Sequence, residues 1–280
     1  MTAARASFST RFDAAVQRNR SLLCVGLDPD PQRIPAGVST REFLMGIVEA
    51  TADVACCYKP NIAFFEPDLH DGVTLVRDLI EAIHARGLPV IVDAKRGDIG
   101  NTAAAYARAL YNVLDADAAT VSPYLGGDSL EPFLAYEDRT AFILCRTSNP
   151  GAHDLQDLRV GERQEPLYAY VARLANGWNA NHNIGLVVGA TYPREAQEIR
   201  AICPDMPILM PGVGAQAGDL EAAVTAGVDA AGGNLIVNAS RGVLYPPPAP
   251  SSERPEWAEG ARIAAIALRD AINAARGTPA

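Results

Sequence analysis

Two kinds of segment alternate regularly along this chain, and their spacing limits the folds that it can adopt. Short apolar runs rich in β-branched residues are separated by longer, Ala-rich amphipathic runs. The apolar runs do not alternate with polar residues, which is typical of parallel strands covered by helices on both faces. Eight such runs in 280 residues leave about 35 residues for each strand and helix, which predicts an α/β fold of the (β/α)8 TIM barrel type.

The strands and helices of this pattern can be placed along the chain. Strands are predicted at residues 22–27, 54–58, 89–92, 118–121, 141–145, 184–189, 208–210 and 235–237. Helices are predicted at 40–53, 73–85, 102–114, 167–180, 194–202, 219–226 and 257–275. The rival fold is a doubly wound open sheet, in which a Gly-x-Gly-x-x-Gly turn follows the first strand. Here the first strand ends in Gly-Leu-Asp-Pro-Asp, which favours the barrel.

We expect residues 1–280 to form a single barrel domain with a helical extension at the N-terminus. Two segments interrupt the rhythm: the polar run 149–166 follows the fifth predicted strand, and the Pro-rich run 245–255 follows the eighth. Both would lie at the C-terminal face of the barrel, where active sites form. Each is either a mobile surface loop or a lid or rim of a site, and the sequence leaves both alternatives open.

The charge and cysteine content exclude several classes of function. The formal net charge is −9, from 24 basic and 33 acidic residues, which argues against nucleic acid and anionic membranes as partners. No apolar run reaches the roughly 18–20 residues of a membrane span, and the N-terminus lacks the apolar region of a secretory signal. The five cysteines form no Cys-x-x-Cys pair, so we expect reduced thiols in a cytoplasmic protein rather than disulfides or a zinc site.

Charged residues gather where three predicted strands end. Asp93 and Lys95 are two residues apart and are expected to face the same side of the barrel mouth, and Asp98 follows closely. Lys59 and Asp28 end the second and first predicted strands. Charges beside buried strands must be paired, so the array is either a structural salt-bridge network or a catalytic cluster. Its place at the strand ends favours a catalytic cluster.

Two glycine-rich turns indicate a phosphate site. The run 210–219 follows the seventh predicted strand, and the run 238–245, which contains Arg241, follows the eighth. Glycines let a phosphate approach the backbone, and an arginine fork binds it with two hydrogen bonds. Barrels often bind phosphate at these positions, although tight turns with a surface arginine have the same pattern. The four histidines avoid the strand ends, which disfavours a Ser-His-Asp triad or a histidine metal site.

With these features the chain resembles the orotidine 5′-phosphate decarboxylase family, in its longer bacterial branch. The Asp-x-Lys-x-x-Asp-Ile signature is present at residues 93–99, and runs such as Tyr-Lys-Pro-Asn, Thr-Ser-Asn-Pro-Gly and Pro-Gly-Val-Gly-Ala-Gln extend the resemblance over the whole barrel. Magnesium-dependent sugar-phosphate relatives usually have an acidic residue where Lys59 stands. Lys59 with Gln216 and Arg241 therefore points to the nucleotide enzymes. One departure is Ser240, since many members of the shorter branch have glycine before the arginine.

The resemblance implies a role for each charged position. Lys59, Asp93, Lys95 and Asp98 would form a catalytic tetrad. Within it, Lys95 would donate a proton to C6 of the pyrimidine, and Asp93 would lie near the substrate carboxylate. Asp98 and Thr102 would reach into the site of a partner subunit, which implies a homodimer with shared active sites.

The remaining matching positions would hold the nucleotide. Asp28 and Lys59 would bind the ribose hydroxyls, Ser148 the pyrimidine edge, and Gln216 and Arg241 the 5′-phosphate. The implied reaction converts orotidine 5′-monophosphate to UMP and CO2 in pyrimidine biosynthesis, with no metal and no organic cofactor. A Schiff-base aldolase that uses one of the lysines and a module that only binds nucleotide phosphates remain as alternatives.

Overall fold

Eight parallel strands form the centre of the computed structural model, which describes residues 5–68, 70–213, 219–251 and 253–277. They are β1 (Leu23–Leu27), β2 (Cys57–Pro60), β3 (Ile91–Arg96), β4 (Ala118–Val121), β5 (Thr140–Arg146), β6 (Ile184–Val188), β7 (Ile208–Pro211) and β8 (Leu235–Ala239).

The strands follow the order β2-β1-β8-β7-β6-β5-β4-β3 around the barrel. Bridges from Tyr58 to Val90 and from Asn61 to Asp93 close the remaining gap between β2 and β3. The predicted (β/α)8 barrel is confirmed. Several predicted strand ends differ from the observed ones, and the largest differences are in β2, which begins at Cys57 and runs to Pro60, and in β3, which runs to Arg96. Polar residues that the pattern assigned to loops continue both strands into the site.

Helices separate most of the strands and cover the sheet. The α-helices longer than four residues are α1 (Phe8–Asn19), α2 (Thr40–Thr51), α3 (Gly72–His84), α4 (Gly100–Arg108), α5 (Leu167–Trp178), α6 (Pro193–Ile202), α7 (Leu220–Gly227) and α8 (Glu256–Ala275). Two four-residue helices, Glu131–Leu134 and Arg241–Leu244, follow β4 and β8. Side chains of Ser39 and Asp219 accept hydrogen bonds from the first turns of α2 and α7, which accounts for where these helices begin. No helix among the described residues has both the length and the apolarity to cross a bilayer.

Both rim segments pack onto the barrel. The segment after β5 contains the single turn Pro150–Asp154 and a two-stranded ribbon, Arg159–Val160 with Glu165–Pro166. Its Gln156 amide accepts a hydrogen bond from Thr147 N–H at 2.9 Å and donates one to Thr147 Oγ1 at 2.8 Å. The segment after β8 is fixed by Tyr245, whose ring stacks on Phe43 of α2. These contacts place both segments beside the barrel mouth.

Asp117, the residue before β4, ties three parts of the fold together. This carboxylate is 1% exposed. It accepts hydrogen bonds from Val90 N–H at 2.8 Å and from Arg5 at 2.6 Å, and it pairs with Arg11 of α1. His84 Nε2 of α3 lies 2.8 Å from its Oδ2. Burial raises the pKa of Asp117, but His84, Arg11 and Arg5 outweigh burial and leave that pKa below its ordinary value.

We predict that Asp117→Asn lowers the free energy of unfolding by about 2–4 kcal/mol at pH 7, because the partly buried Arg5 and Arg11 lose their buried counter-charge. Since the folded pKa lies below the ordinary value of about 3.9, the stability that this group contributes is complete above that value. It is lost as the pH falls through and below it. Urea unfolding of both proteins from pH 7 to pH 3 should therefore show the difference shrinking with acid.

The matched control is Asp78→Asn, which removes partly exposed ion pairs with Arg41 and Arg77 and should lower the free energy of unfolding by less than about 1 kcal/mol. The prediction is contradicted if Asp117→Asn lowers the free energy of unfolding by no more than the control does, or if its effect increases as the pH falls.

Candidate active site

The end of β3 carries the centre of the site. Asp93 is buried and Lys95 is half-exposed. The pairing of β3 with β4 shifts between Val92 and Arg96, and Lys95 adopts a left-handed backbone with φ of 47°. A β-bulge of this kind re-aims side chains beside active sites. Lys95 Nζ consequently donates to Asp93 Oδ1 at 2.6 Å. The structure brings the two side chains together, as the sequence analysis expects, but through a bulge rather than simple alternation.

Thr120 of β4 holds this distortion in place. Its Oγ1 accepts a hydrogen bond from Lys95 N–H at 2.9 Å and donates one to Asp93 Oδ1 at 2.8 Å. The hydroxyl thus satisfies a backbone donor that the bulge removes from the strand ladder. Sequence reasoning did not single out Thr120. The signal was present as one polar residue within the otherwise apolar run Ala-Ala-Thr-Val.

Lys59 of β2 completes a three-charge cluster. Its side chain is 4% exposed, and its Nζ lies 3.0 Å from Asp93 Oδ2. Burial raises the pKa of Asp93, but Lys59 and Lys95 outweigh burial and hold that pKa at about 2. Burial lowers the pKa of Lys59, but Asp93 and then Asp28 outweigh it, so this pKa is raised. Asp93 and Lys59 are therefore both ionised at neutral pH.

Lys59 and Lys95 are the two lysines of the chain. Of the 24 basic residues, only Lys59 and Lys95 are lysines, and all the others are arginines. Both lysines contact the same carboxylate. An ammonium group has a pKa that a site can shift, whereas a guanidinium stays protonated in proteins. The scarcity of lysine is a second signal that sequence reasoning missed.

A cleft with two lobes opens above the cluster. The inner lobe, of about 380 Å³, is lined by Lys95 and Thr120 together with the apolar side chains of Leu144, Val187 and Leu209. The outer lobe, of about 440 Å³, is more polar and is lined by Asp28, Asn238, Ser240 and Arg241, among others. Lys59, Asp93, Ser148 and Pro211 line both lobes. The charged cluster therefore lies where an apolar and a polar compartment meet.

The other predicted site residues fall into three groups. Asp28, Ser148 and Arg241 lie in the cleft. Asp98 and Thr102 lie at the surface near the start of α4, and no ion pair joins Asp98 to Lys95 in the part of the chain that the structure describes. Gln216 lies outside the described residues.

The donor set of the cluster is poorly suited to a metal ion. Both carboxylate oxygens of Asp93 are in contact with ammonium groups, which repel a cation. No group of three or more His, Cys, Asp or Glu side chains is arranged to hold a metal within residues 5–68, 70–213, 219–251 and 253–277.

Known proteins are similar to this chain over nearly its whole length. Residues 21–252 match the family model described as Orotidine 5′-phosphate decarboxylase / HUMPS family. An orotidine 5′-phosphate decarboxylase of Azoarcus sp. (strain BH72) is 52% identical over 277 residues, covering 96% of this chain and 99% of that protein. One of Roseiflexus sp. (strain RS-1) is 51% identical, covering 96% and 98%.

A solved structure is similar over the same length. The OMP decarboxylase of Leishmania donovani is 42% identical, with a TM-score of 0.84 over 97% of this chain and 99% of that one. The family match, the near-complete coverage and the shared barrel show that this chain belongs to the orotidine 5′-phosphate decarboxylase / HUMPS family.

Proposed function

We propose that this protein converts orotidine 5′-monophosphate to UMP and CO2 in pyrimidine biosynthesis, without a metal or organic cofactor and with Lys95 as the proton donor. The observation that carries the proposal is the cluster in which Asp93 is held between Lys59 and Lys95 at the junction of the two lobes. The names of the similar proteins, orotidine 5′-phosphate decarboxylases, support the substrate.

The cleft suits the parts of such a nucleotide. A planar pyrimidine fits the inner lobe among Leu144, Val187 and Leu209, with Ser148 at its edge to bond the base. The ribose and phosphate then fall in the outer lobe, where Asp28 accepts from hydroxyl groups and Arg241 forks onto the phosphate. This pose puts C6 of the base near Lys95.

The cluster supplies the chemistry that decarboxylation at C6 requires. When the bond from C6 to the carboxylate breaks, its electron pair stays on C6 as a carbanion in the ring plane, and CO2 leaves. A fixed ammonium beside C6 stabilises that charge without reorganising, and a water-poor pocket strengthens the effect. Lys95 then transfers one proton to C6 and is left as a neutral amine. Lys59 and Asp93 keep Lys95 oriented throughout.

We further propose a cytoplasmic homodimer with shared sites. Asp98 and Thr102 flank Ile99, an exposed apolar residue, and the exposed apolar residues Tyr124 and Leu125 follow the neighbouring strand β4. We propose that these side chains contribute to the dimer interface, where exposed apolar surface is typical. The five cysteines are all free and buried, which suits a reducing compartment.

The experiment that tests the proposed function is a UV absorbance assay of orotidine 5′-monophosphate with and without EDTA. We expect equal consumption of the substrate in both, with UMP as product. Strict dependence on Mg²⁺ would favour a sugar-phosphate lyase of the same family, and binding of UMP without turnover would favour a binding module. Inactivation by borohydride with a carbonyl substrate would favour a Schiff-base aldolase.

We predict that Lys95→Ala lowers kcat by about a thousandfold or more, because both charge stabilisation and proton donation are lost. Lys95→Arg keeps a cation that does not give up its proton, so it should remain at least about a hundredfold slower than the parent. Steady-state kinetics with circular dichroism as a check on folding measures both.

Arg86→Ala is the matched control, because it removes an exposed cation that lies between α3 and β3 in the sequence. It should keep the parent kcat within twofold. A Lys95→Ala variant of comparable activity would contradict the assigned role.

We predict that Arg241→Ala raises KM for orotidine 5′-monophosphate by about 10- to 100-fold, because a charge-assisted hydrogen bond to the phosphate is lost. The rate of reaction with orotidine, which has no phosphate, should not change. Parallel kinetics with the two substrates provide the comparison. An equal loss of activity with both substrates would show that Arg241 does not act through the phosphate.

A further inference from the structure

Ser240, one residue before Arg241, is bonded to the candidate ribose-binding carboxylate. Its Oγ donates to Asp28 Oδ2 at 2.6 Å, across 212 positions of sequence. The other carboxylate oxygen, Asp28 Oδ1, is buried and has no hydrogen-bond partner among the residues that the structure describes. Both side chains line the outer lobe of the cleft. Ser240 therefore holds one oxygen of Asp28, while the second is a buried acceptor without a partner among the described residues.

Gly26 of β1 makes room for this contact. A Cβ atom at this position would lie 2.0 Å from Ser240 Oγ and 2.9 Å from Ser240 Cβ. These separations are far below van der Waals contact, so any larger residue would displace the Ser240 side chain. The strands themselves are in register, with Val25 of β1 opposite Ala239 of β8. The backbone thus brings the two residues together, and the glycine leaves the space that the hydroxyl occupies.

A second contact joins the same two segments but acts on the backbone. Asp30 N–H donates to the Tyr245 hydroxyl at 2.6 Å, and the Arg33 guanidinium lies 4.2 Å from the centre of the Tyr245 ring. These contacts fix the path of the chain after β1. Neither contact involves the Asp28 carboxylate, which is hydrogen-bonded to the Ser240 hydroxyl.

We propose that Ser240 is a positioning residue that orients Asp28 so that its Oδ1 accepts a hydrogen bond from a ribose hydroxyl. The proposal rests on the proposed function, because it requires a nucleotide in the outer lobe. On this proposal, the turn that carries Arg241 also supports the contact between Asp28 and the ribose. A glycine at this position would leave the carboxylate without that donor.

The test measures the binding of two ligands, UMP and 2′,3′-dideoxyuridine 5′-monophosphate, to the parent and to Ser240→Ala by calorimetry. The parent should bind UMP more tightly, since the analogue lacks the hydroxyls that Asp28 would bind. In Ser240→Ala this preference should fall by about tenfold, while the affinity for the analogue changes less than twofold. A general structural defect would weaken the binding of both ligands alike, and that result would overturn the proposal.

Two further variants sharpen the result. Gly26→Ala leaves Ser240 in the chain but displaces its hydroxyl, so it should reduce the preference for UMP as Ser240→Ala does. Tyr245→Phe removes only the backbone contact and should keep the preference within twofold. An equal loss in Tyr245→Phe, or an unchanged preference in both Ser240→Ala and Gly26→Ala, would overturn the proposal.

The parent protein separates this inference from the proposed function. If it consumes orotidine 5′-monophosphate but binds UMP and the dideoxy analogue equally, Asp28 holds no ribose hydroxyl and the role of Ser240 is wrong, while the proposed activity stands. If it shows the UMP preference and the Ser240 effect without turnover, the proposed activity fails and the positioning role stands.

Discussion

One buried carboxylate held between two ammonium groups is the interaction on which the site depends. Removing charges from water costs several kcal/mol for each ion unless partners replace the lost solvent. Asp93 meets this condition with Lys59 on one oxygen, and with Lys95 and Thr120 on the other. The positive φ of Lys95 costs roughly 1–3 kcal/mol, and these contacts hold it in place. The three side chains thus support one another, and the Lys95 side chain is held against Asp93.

The barrel is what makes such a cluster possible. Parallel strands in a closed sheet direct all of their carboxyl ends to one mouth, so residues far apart in sequence meet there. Asp93 and Thr120 come from neighbouring strands, and the Asn61–Asp93 bridge draws the end of β2 toward β3. The start of β3 is fixed independently by Asp117, through Val90 N–H. The site is therefore anchored at both ends of the strand that carries its central carboxylate.

The sequence pattern predicts the barrel well and its mouth less well. Apolar runs mark the strand interiors, but β2 and β3 extend past the predicted ends at 58 and 92, because Lys59 and Asp93 are polar residues on buried strands. A bulge and a left-handed lysine have no hydrophobic signature. The contact of Ser240 with Asp28 spans 212 positions and depends on Gly26. Such contacts follow from three-dimensional register, which local pattern does not encode.

The restriction of lysine to Lys59 and Lys95 has a consequence for how this protein can be observed. Arginines and histidines make the other pairs with carboxylates seen among the described residues, such as those of Arg262 with Asp53 and Arg173 with Glu165. Isotopic labelling of lysine alone would thus place a spectroscopic marker on just two side-chain amines, one buried and one half-exposed. Every side-chain amine signal in such a spectrum would come from Lys59 or Lys95, which both contact Asp93. The charge state of the cluster could therefore be followed in a protein of 280 residues with two signals to tell apart.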